Sequence, residues 1–153
     1  MGLAALTWFN AAAQVSVEVT MEQTEFLPSE SIPVAVRVTN RSGQPLHLGA
    51  DPDWLTFNVE SADGFIVVKK GEIPVVKEFD LGSSQVATKH ADLQPFFGLM
   101  RPGRYHVTAT VHIKDWNESI ASPPKEFYVL TGAKIWAQDF GIPVPADATN
   151  RTP

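Results

Sequence analysis

Cysteine is the first residue type missing from this 153-residue sequence. Without cysteine the chain has no disulfide bond, no zinc site built from thiolates and no cysteine nucleophile. Long apolar runs are missing too, since no stretch approaches the roughly 20 residues that a membrane-spanning helix needs. A chain of this length buries a complete hydrophobic core without covalent cross-links. We therefore expect one globular domain, with or without tails.

A strong excess of charge of either sign is missing. Charged residues make up 19% of the sequence, and the formal net charge is −5. Domains that bind nucleic acid carry a basic surface, so this balance argues against a nucleic-acid partner. The sequence also lacks the G-x-S-x-G, P-loop, H-E-x-x-H and G-x-G-x-x-G motifs of the common catalytic classes. We predict a protein that is not an enzyme.

Clustered metal ligands are scarce as well. His106 and His112 share one face of a predicted strand, but strand geometry places them about 20 Å apart, too far to share an ion. Asp51 and Asp53 flank a proline, with Asp92 as a distant third carboxylate, and such loop carboxylates are the ligands that calcium prefers. Two neighbouring aspartates are too few for a calcium site, and capping of turns is the favoured interpretation. We predict no metal and no cofactor.

The stretch Leu99–Ile113 carries the clearest structural pattern. After the turn Arg101–Arg104, apolar residues alternate strictly with polar ones, and many are β-branched. This period of two predicts a half-buried β-strand. Tyr105 follows the Pro-Gly pair of the turn by two residues, which resembles the tyrosine corner of immunoglobulin-like sandwiches. The resemblance implies that the Tyr105 hydroxyl group bonds to the backbone just upstream.

The same period of two recurs along the chain. It predicts strands at residues 15–22, 32–39, 46–49 and 55–60, and a last strand that contains Phe127 and Val129. Asp63-Gly64 is a strong tight-turn signal, after which Phe65–Val68 is expected to return antiparallel. Ile73–Leu81 is a less regular run that Pro74 interrupts, which is typical of an edge strand.

Two further segments precede the strand at Tyr105. Gln85–Leu93 has an ambiguous parity, because Val86 points to one face while Ala91 and Leu93 point to the other; a β-bulge would reconcile them. Asp92–Phe97 is expected to form a short helical turn that places its aromatic residues under the corner.

These elements together resemble an immunoglobulin-like or fibronectin-III-like domain. The resemblance covers about Val15–Leu130 and is carried by Leu99–Val111, by the preceding DLQPFF and by SIPVAVRVTNRSGQPL at residues 31–46. It implies an all-β, antiparallel, Greek-key sandwich of about seven strands. More narrowly, the sequence is similar to uncharacterised modules of bacterial envelope and secreted proteins. A looser likeness connects it to the bacterial intracellular-proteinase-inhibitor domain.

Both ends of the chain differ from the central region. Residues 1–13 are apolar and end in Ala11-Ala12-Ala13, which favours the remnant of a signal peptide; a frayed end or a short packed strand is the alternative. Residues 14–131 are the predicted sandwich, and residues 132–153 a tail or a linker to a missing module. The predicted location is outside the cytoplasm, in the periplasm, on the cell surface or in the medium.

Trp54 and Trp116 are the candidate binding residues. Trp54 has the wrong parity for the core face of its strand, and Trp116 lies in a predicted hairpin loop. Such aromatics stack on sugars or anchor protein interfaces, although capping the ends of the sandwich is the favoured alternative. We predict a non-catalytic structural, adhesion or protein-interaction module whose partner is a protein or an envelope polymer. The alternatives are a proteinase inhibitor acting through Asp115–Ser122 and a carbohydrate-binding module that uses the two tryptophans.

Overall fold

The computed structural model describes residues 14–75 and 77–132. Its strands are β1 (Val15–Thr20), β2 (Glu25–Phe26), β3 (Pro33–Asn40), β4 (Leu46–Leu48), β5 (Leu55–Ser61), β6 (Phe79–Leu81), β7 (Val86–Asp92), β8 (Gly103–Ile113), β9 (Glu118–Ala121) and β10 (Lys125–Val129). Two short 3₁₀ turns, Gln94–Phe96 and Lys114–Trp116, flank β8. Within these ranges no helix has the length and apolar character needed to cross a membrane.

The strands form two layers and a small ribbon. A three-stranded sheet has the order β1-β3-β7, and a five-stranded sheet has the order β2-β10-β8-β5 with β9 also paired to β8. The ribbon consists of β4 and β6. All pairings are antiparallel except β2 with β10. The protein is an all-β, immunoglobulin-like antiparallel sandwich, as predicted.

Alternation of side chains explains the core between the two sheets. The inward residues of β8 are all 0% exposed: Tyr105, Val107, Ala109, Val111 and Ile113. From the other sheet, β3 buries Val34, Val36 and Val38 against them. Because successive strand residues point to opposite faces, a one-residue shift of either strand would move its whole apolar set into solvent. The strict patterns of β3 and β8 therefore fix the register of both sheets.

The return strand predicted at Phe65–Val68 is wrong. Gly64 makes the expected turn, with φ at +85°, but the chain then leaves β5. Its backbone instead joins the segment before β8: Gly98 N–H donates to the Val68 carbonyl oxygen over 2.8 Å. The reason is Phe65, which turns inward and packs edge-on against Tyr105 with ring centroids 5.7 Å apart.

The β-bulge predicted within Gln85–Leu93 is also wrong. The ladder between β3 and β7 runs without interruption from Pro33–Asp92 to Thr39–Val86. The ambiguous parity has another cause, because Lys89 occupies an inward position opposite Val36 while Val86 points outward. The Lys89 ammonium group lies 4.1 Å from the centroid of the Phe79 ring, so this inward lysine has an aromatic partner.

Several short elements differ from the prediction or were missed. Within the predicted edge strand Ile73–Leu81 the described residues form a strand only at β6, while Ile73 is buried. The strands β2 and β9 were not predicted, since each is too short for alternation to be recognised. The helical turn after Asp92 is confirmed, and Phe97 behind it is buried. The predicted signal-peptide remnant at 1–13 and the tail after Gly132 lie outside the described residues.

Candidate functional site

Trp54 is a core residue, although its parity predicted a position away from the core face of its strand. Its side chain is 2% exposed. The indole N–H donates to the Val75 carbonyl oxygen over 2.6 Å, and the ring packs edge-on against Phe79 with centroids 5.4 Å apart. Trp54 thus fastens the β4–β6 ribbon to the start of β5. Its ring presents no face on which a sugar could stack.

Trp116 is partly buried against the same core. It ends the 3₁₀ turn after β8, and Asn117 then adopts the left-handed conformation, with φ at +49°. The segment Asp115–Ser122, the candidate inhibitory loop, continues directly into β9, which pairs with β8. Half of this segment is therefore a hydrogen-bonded strand.

Several titratable side chains are engaged in local contacts. His47 Nδ1 lies 2.6 Å from Asp80 Oδ1, and its Nε2 contacts Glu78. These two hydrogen bonds, that of Asp80 first, raise the pKa of His47. Asp51 pairs with Lys114 over 3.3 Å. Within residues 14–75 and 77–132, no three His, Asp or Glu side chains are arranged to hold a metal ion.

Asp92 caps two segments of the chain, the residues just before β3 and the 3₁₀ turn after β7. Its carboxylate accepts hydrogen bonds from the Ile32 amide over 2.9 Å, the Gln94 amide over 3.0 Å and the Ser31 hydroxyl group over 2.7 Å. Burial opposes the charged carboxylate, but the three donors outweigh it and lower the pKa of Asp92. The residue nominated as a distant calcium ligand thus holds β3 and the 3₁₀ turn together.

β5 has a free edge. This strand ends the order β2-β10-β8-β5, so β8 pairs with one of its sides only. His112 N–H donates to the Trp54 carbonyl oxygen and Ala62 N–H to that of Arg104, which fixes the even-numbered backbone groups toward β8. By alternation, the backbone N–H and C=O groups of Phe57 and Val59 point away from the sheet.

A groove runs along this free edge. It has a volume of about 370 Å³ and lies between Asn58–Ser61 on one wall and Gly64–Val67 on the other. The second wall is held away from β5 because Phe65 packs on Tyr105 and because Lys70 N–H donates to the Phe96 carbonyl oxygen over 2.8 Å. The groove is therefore a consequence of how the chain leaves β5.

The rim of the groove is apolar. Ile66 is 90% exposed and Val68 is 63% exposed, the two highest values among the large exposed hydrophobic side chains of the described residues. Ile66 lines the groove, and Val68 follows it two residues later in the chain; we call Ile66 and Val68 the apolar rim. Glu60 is the one charged residue that lines the groove, and its carboxylate accepts a hydrogen bond from the Asn58 side-chain amide over 3.0 Å. An open backbone edge beside exposed apolar side chains is typical of an interaction surface.

Several other sheet edges carry features that block strand pairing, but β1, the outer strand of the three-stranded sheet, does not. β7 has the inward Lys89, β2 is two residues long, and Pro123-Pro124 separates β9 from β10. Inward charges, short strands and prolines at edges all discourage pairing with another chain. The seven residues of β5 contain no proline, no lysine and one charge. β1 and β5 are thus the less protected edges, and β5 is the one beside the exposed Ile66.

Sequence reasoning missed this site for a specific reason. The prediction of a return strand at Phe65–Val68 assigned β5 a neighbour and so concealed its free side. The signal that was available is composition: Ile66 and Val68 share a parity and lack a polar residue between them, as Val67 is apolar too. A run without alternation does not fit a hairpin strand with one solvated face.

Comparison with known proteins concerns the fold. No family model matches this chain, and no curated protein matches it. Among solved structures, the chain is similar to a FixG-related protein from Vibrio parahaemolyticus, with a TM-score of 0.46 and 10% identity over 77% of this chain and 98% of that chain. The CARDB domain of a Pyrococcus furiosus protein gives a TM-score of 0.41 and 15% identity over 76% of this chain and 94% of that chain. A family 123 glycoside hydrolase from Clostridium perfringens gives a TM-score of 0.46 and 8% identity over 77% of this chain and 27% of that chain.

Proposed function

We propose that this protein is a non-catalytic, exported β-sandwich module that binds a protein partner through the free edge of β5. The observation that carries the proposal is the unpaired side of β5 beside the apolar rim. An extended segment of a partner adds to such an edge as a further strand, with main-chain hydrogen bonds giving affinity and side-chain contacts giving specificity. The module thus serves for adhesion or assembly.

The engagement of the polar side chains supports a non-catalytic role. His47 is held by Asp80, Asp92 caps a loop, and the buried Ser122 hydroxyl group accepts a hydrogen bond from the Ala109 amide over 3.0 Å. Each of these groups is held by a structural partner, whereas a catalytic group must be able to reach substrate. Export is proposed from the pattern of residues 1–13, and burial of Trp54 removes the motive for a carbohydrate site there.

We also propose that Tyr105 forms a tyrosine corner. Its hydroxyl group donates to the carbonyl oxygen of Arg101, which lies four residues upstream. In immunoglobulin-like domains the corresponding bond closes the turn that precedes a central strand. This assignment supports the narrower relationship to immunoglobulin-like modules of envelope and secreted proteins.

Capture from cell extracts tests the proposed function. The full chain is immobilised and exposed to envelope and secreted fractions of the source cells, beside a variant that carries Ile66→Lys and Val68→Lys. The control is Val86→Lys, which changes an exposed valine on β7 that is 47% accessible. We expect the wild type and the control to retain the same protein at high salt and the rim variant to lose it. Equal retention by all three, or none by any, contradicts the proposal.

A further inference from the structure

We propose that the free edge of β5 pairs with β5 of a second copy of this chain. The pairing is antiparallel, with Asn58 of one protomer facing Asn58 of its partner across a two-fold axis. This inference rests on the proposed function, since it names the occupant of the same edge. A closed two-fold pair uses the same surface on both protomers, so one edge suffices.

The direction of the backbone groups restricts the register. In an antiparallel pair, residues that exchange hydrogen bonds are directly opposite one another, and on β5 the outward-pointing ones are odd-numbered. A two-fold axis at Asn58 places Phe57 opposite Val59. The backbone N–H and C=O groups of both residues point away from β8, so the two residues can exchange hydrogen bonds across the axis. It is also the register in which all seven residues of β5 have a partner. A shift in either direction leaves part of the strand unpaired.

Side-chain complementarity favours the same register. The core-facing pair is Phe57 with Val59, which occurs twice by symmetry and joins an aromatic with a β-branched residue, a stabilising combination in sheets. On the outer face, Thr56 lies opposite Glu60 and the two Asn58 amides lie opposite each other. No like charges meet, whereas an axis at Glu60 would oppose two carboxylates.

The apolar rim is covered in the same arrangement. Ile66 lines the groove beside the C-terminal half of β5, so an axis at Asn58 places each rim beside the N-terminal half of the partner's β5. There the Ile66 side chain, which is 90% exposed in one chain, leaves water.

A cysteine scan tests this register directly, because the chain contains no cysteine. Residues opposite each other in a non-hydrogen-bonded antiparallel pair have Cα atoms about 4.5 Å apart, within the range for a disulfide bond. We expect Asn58→Cys in the full chain to form a disulfide-linked dimer under mild oxidation. Thr108→Cys is the matched control, since Thr108 neighbours Asn58 on the same face but lies on β8.

Two off-axis variants sharpen the scan. Thr56→Cys and Glu60→Cys should each form no disulfide-linked dimer alone and should cross-link when mixed, because each residue faces the other across the axis. The mixture tests the same register without changing Asn58, so the test remains decisive if Asn58→Cys does not fold. In sedimentation velocity, the wild type should shift from monomer to dimer with increasing concentration, and the variant with Ile66→Lys and Val68→Lys should not.

The outcomes separate the two proposals. Cross-linking of Asn58→Cys no faster than of Thr108→Cys, with no cross-link in the Thr56→Cys and Glu60→Cys mixture, overturns the pairing of two copies. If the rim variant still loses its captured protein in that case, the β5 edge binds a different protein and the proposed function stands. If capture is also unaffected by the rim substitutions, both proposals are contradicted.

Discussion

The hydroxyl group of Tyr105 donates a hydrogen bond to the carbonyl oxygen of Arg101 across the turn that begins β8. The tyrosine side chain is fully buried and stacks on Phe127 with ring centroids 5.5 Å apart. Burial raises the pKa of the phenol group, so it remains a donor throughout the neutral range. One side chain thus connects the turn, the central strand and β10.

Replacing Tyr105 with phenylalanine should lower the free energy of unfolding by about 1–2 kcal/mol, because the ring stays packed while the Arg101 carbonyl oxygen loses its donor. Chemical denaturation of the two proteins measures the difference. Tyr128→Phe is the control, since its hydroxyl group bonds the exposed Glu126 side chain, and the change should stay within about 0.5 kcal/mol. Equal effects of the two substitutions would contradict a structural role for the Tyr105 hydroxyl group.

Ser122 maintains the sheet where two prolines interrupt it. Its amide donates to the Ala109 carbonyl oxygen over 2.7 Å, and its hydroxyl group accepts from the Ala109 amide over 3.0 Å. Ser122→Ala should cost about 1–3 kcal/mol, because the buried Ala109 amide loses its acceptor. In the same denaturation assay Ser119→Ala, at an exposed position of β9, should change stability by less than about 0.5 kcal/mol. A neutral Ser122→Ala would show that the Ala109 amide has another partner.

Gly49 permits a close approach of two backbone segments. Its φ is +86°, and a Cβ atom there would lie 2.1 Å from the Lys77 carbonyl oxygen. Gly49→Ala should therefore destabilise the fold by about 2–5 kcal/mol, from strain and the steric clash together. Gly64 has nearly the same φ of +85° with no atom within 4 Å of that position, so Gly64→Ala should cost about 1–2 kcal/mol. Thermal or urea unfolding that ranks the two variants equally would argue against the close contact.

His47 gives the stability a pH dependence of defined sign. Hydrogen bonds to Asp80 and then Glu78 raise its pKa in the folded protein. Its contribution is therefore fully present below the unfolded value of about 6.5 and is lost as the pH rises through the higher folded pKa. The stability difference between wild type and His47→Gln should be larger at about pH 5.5 than at a pH above the folded value. Urea unfolding at both pH values measures this stability difference. A difference that does not change with pH would contradict a stabilising contact of His47 with Asp80 and Glu78.

The fold was predictable wherever one face of a strand is buried and the other solvated. β3 and β8 meet that condition, and their alternation identified both the strands and the core residues. The pattern misled where tertiary contacts decide the side-chain direction. Lys89 points inward because the Phe79 ring offers its ammonium group a partner, and this contact lies outside any local window of sequence.

The candidate site was less accessible from the sequence. Trp54 lies one residue before β5 and is buried by the Val75 and Phe79 segment, more than twenty residues away in the chain. The groove beside β5 depends on the packing of Phe65 against Tyr105, which periodicity does not reveal. Local patterns predict which face of a strand is apolar, whereas the identity of its neighbours depends on contacts that are distant in the sequence.

Amide hydrogen exchange along β5 tests the central claim, a free strand edge, most directly. In dilute ¹⁵N-labelled protein, the amides of Thr56 and Asn58 face β8 and should be protected, whereas those of Phe57 and Val59 face the groove. We expect the latter pair to exchange more than about a hundredfold faster, and to become protected when the edge is occupied at high concentration. Slow exchange of all four amides in the dilute protein would show that the edge is already closed and would contradict both proposals.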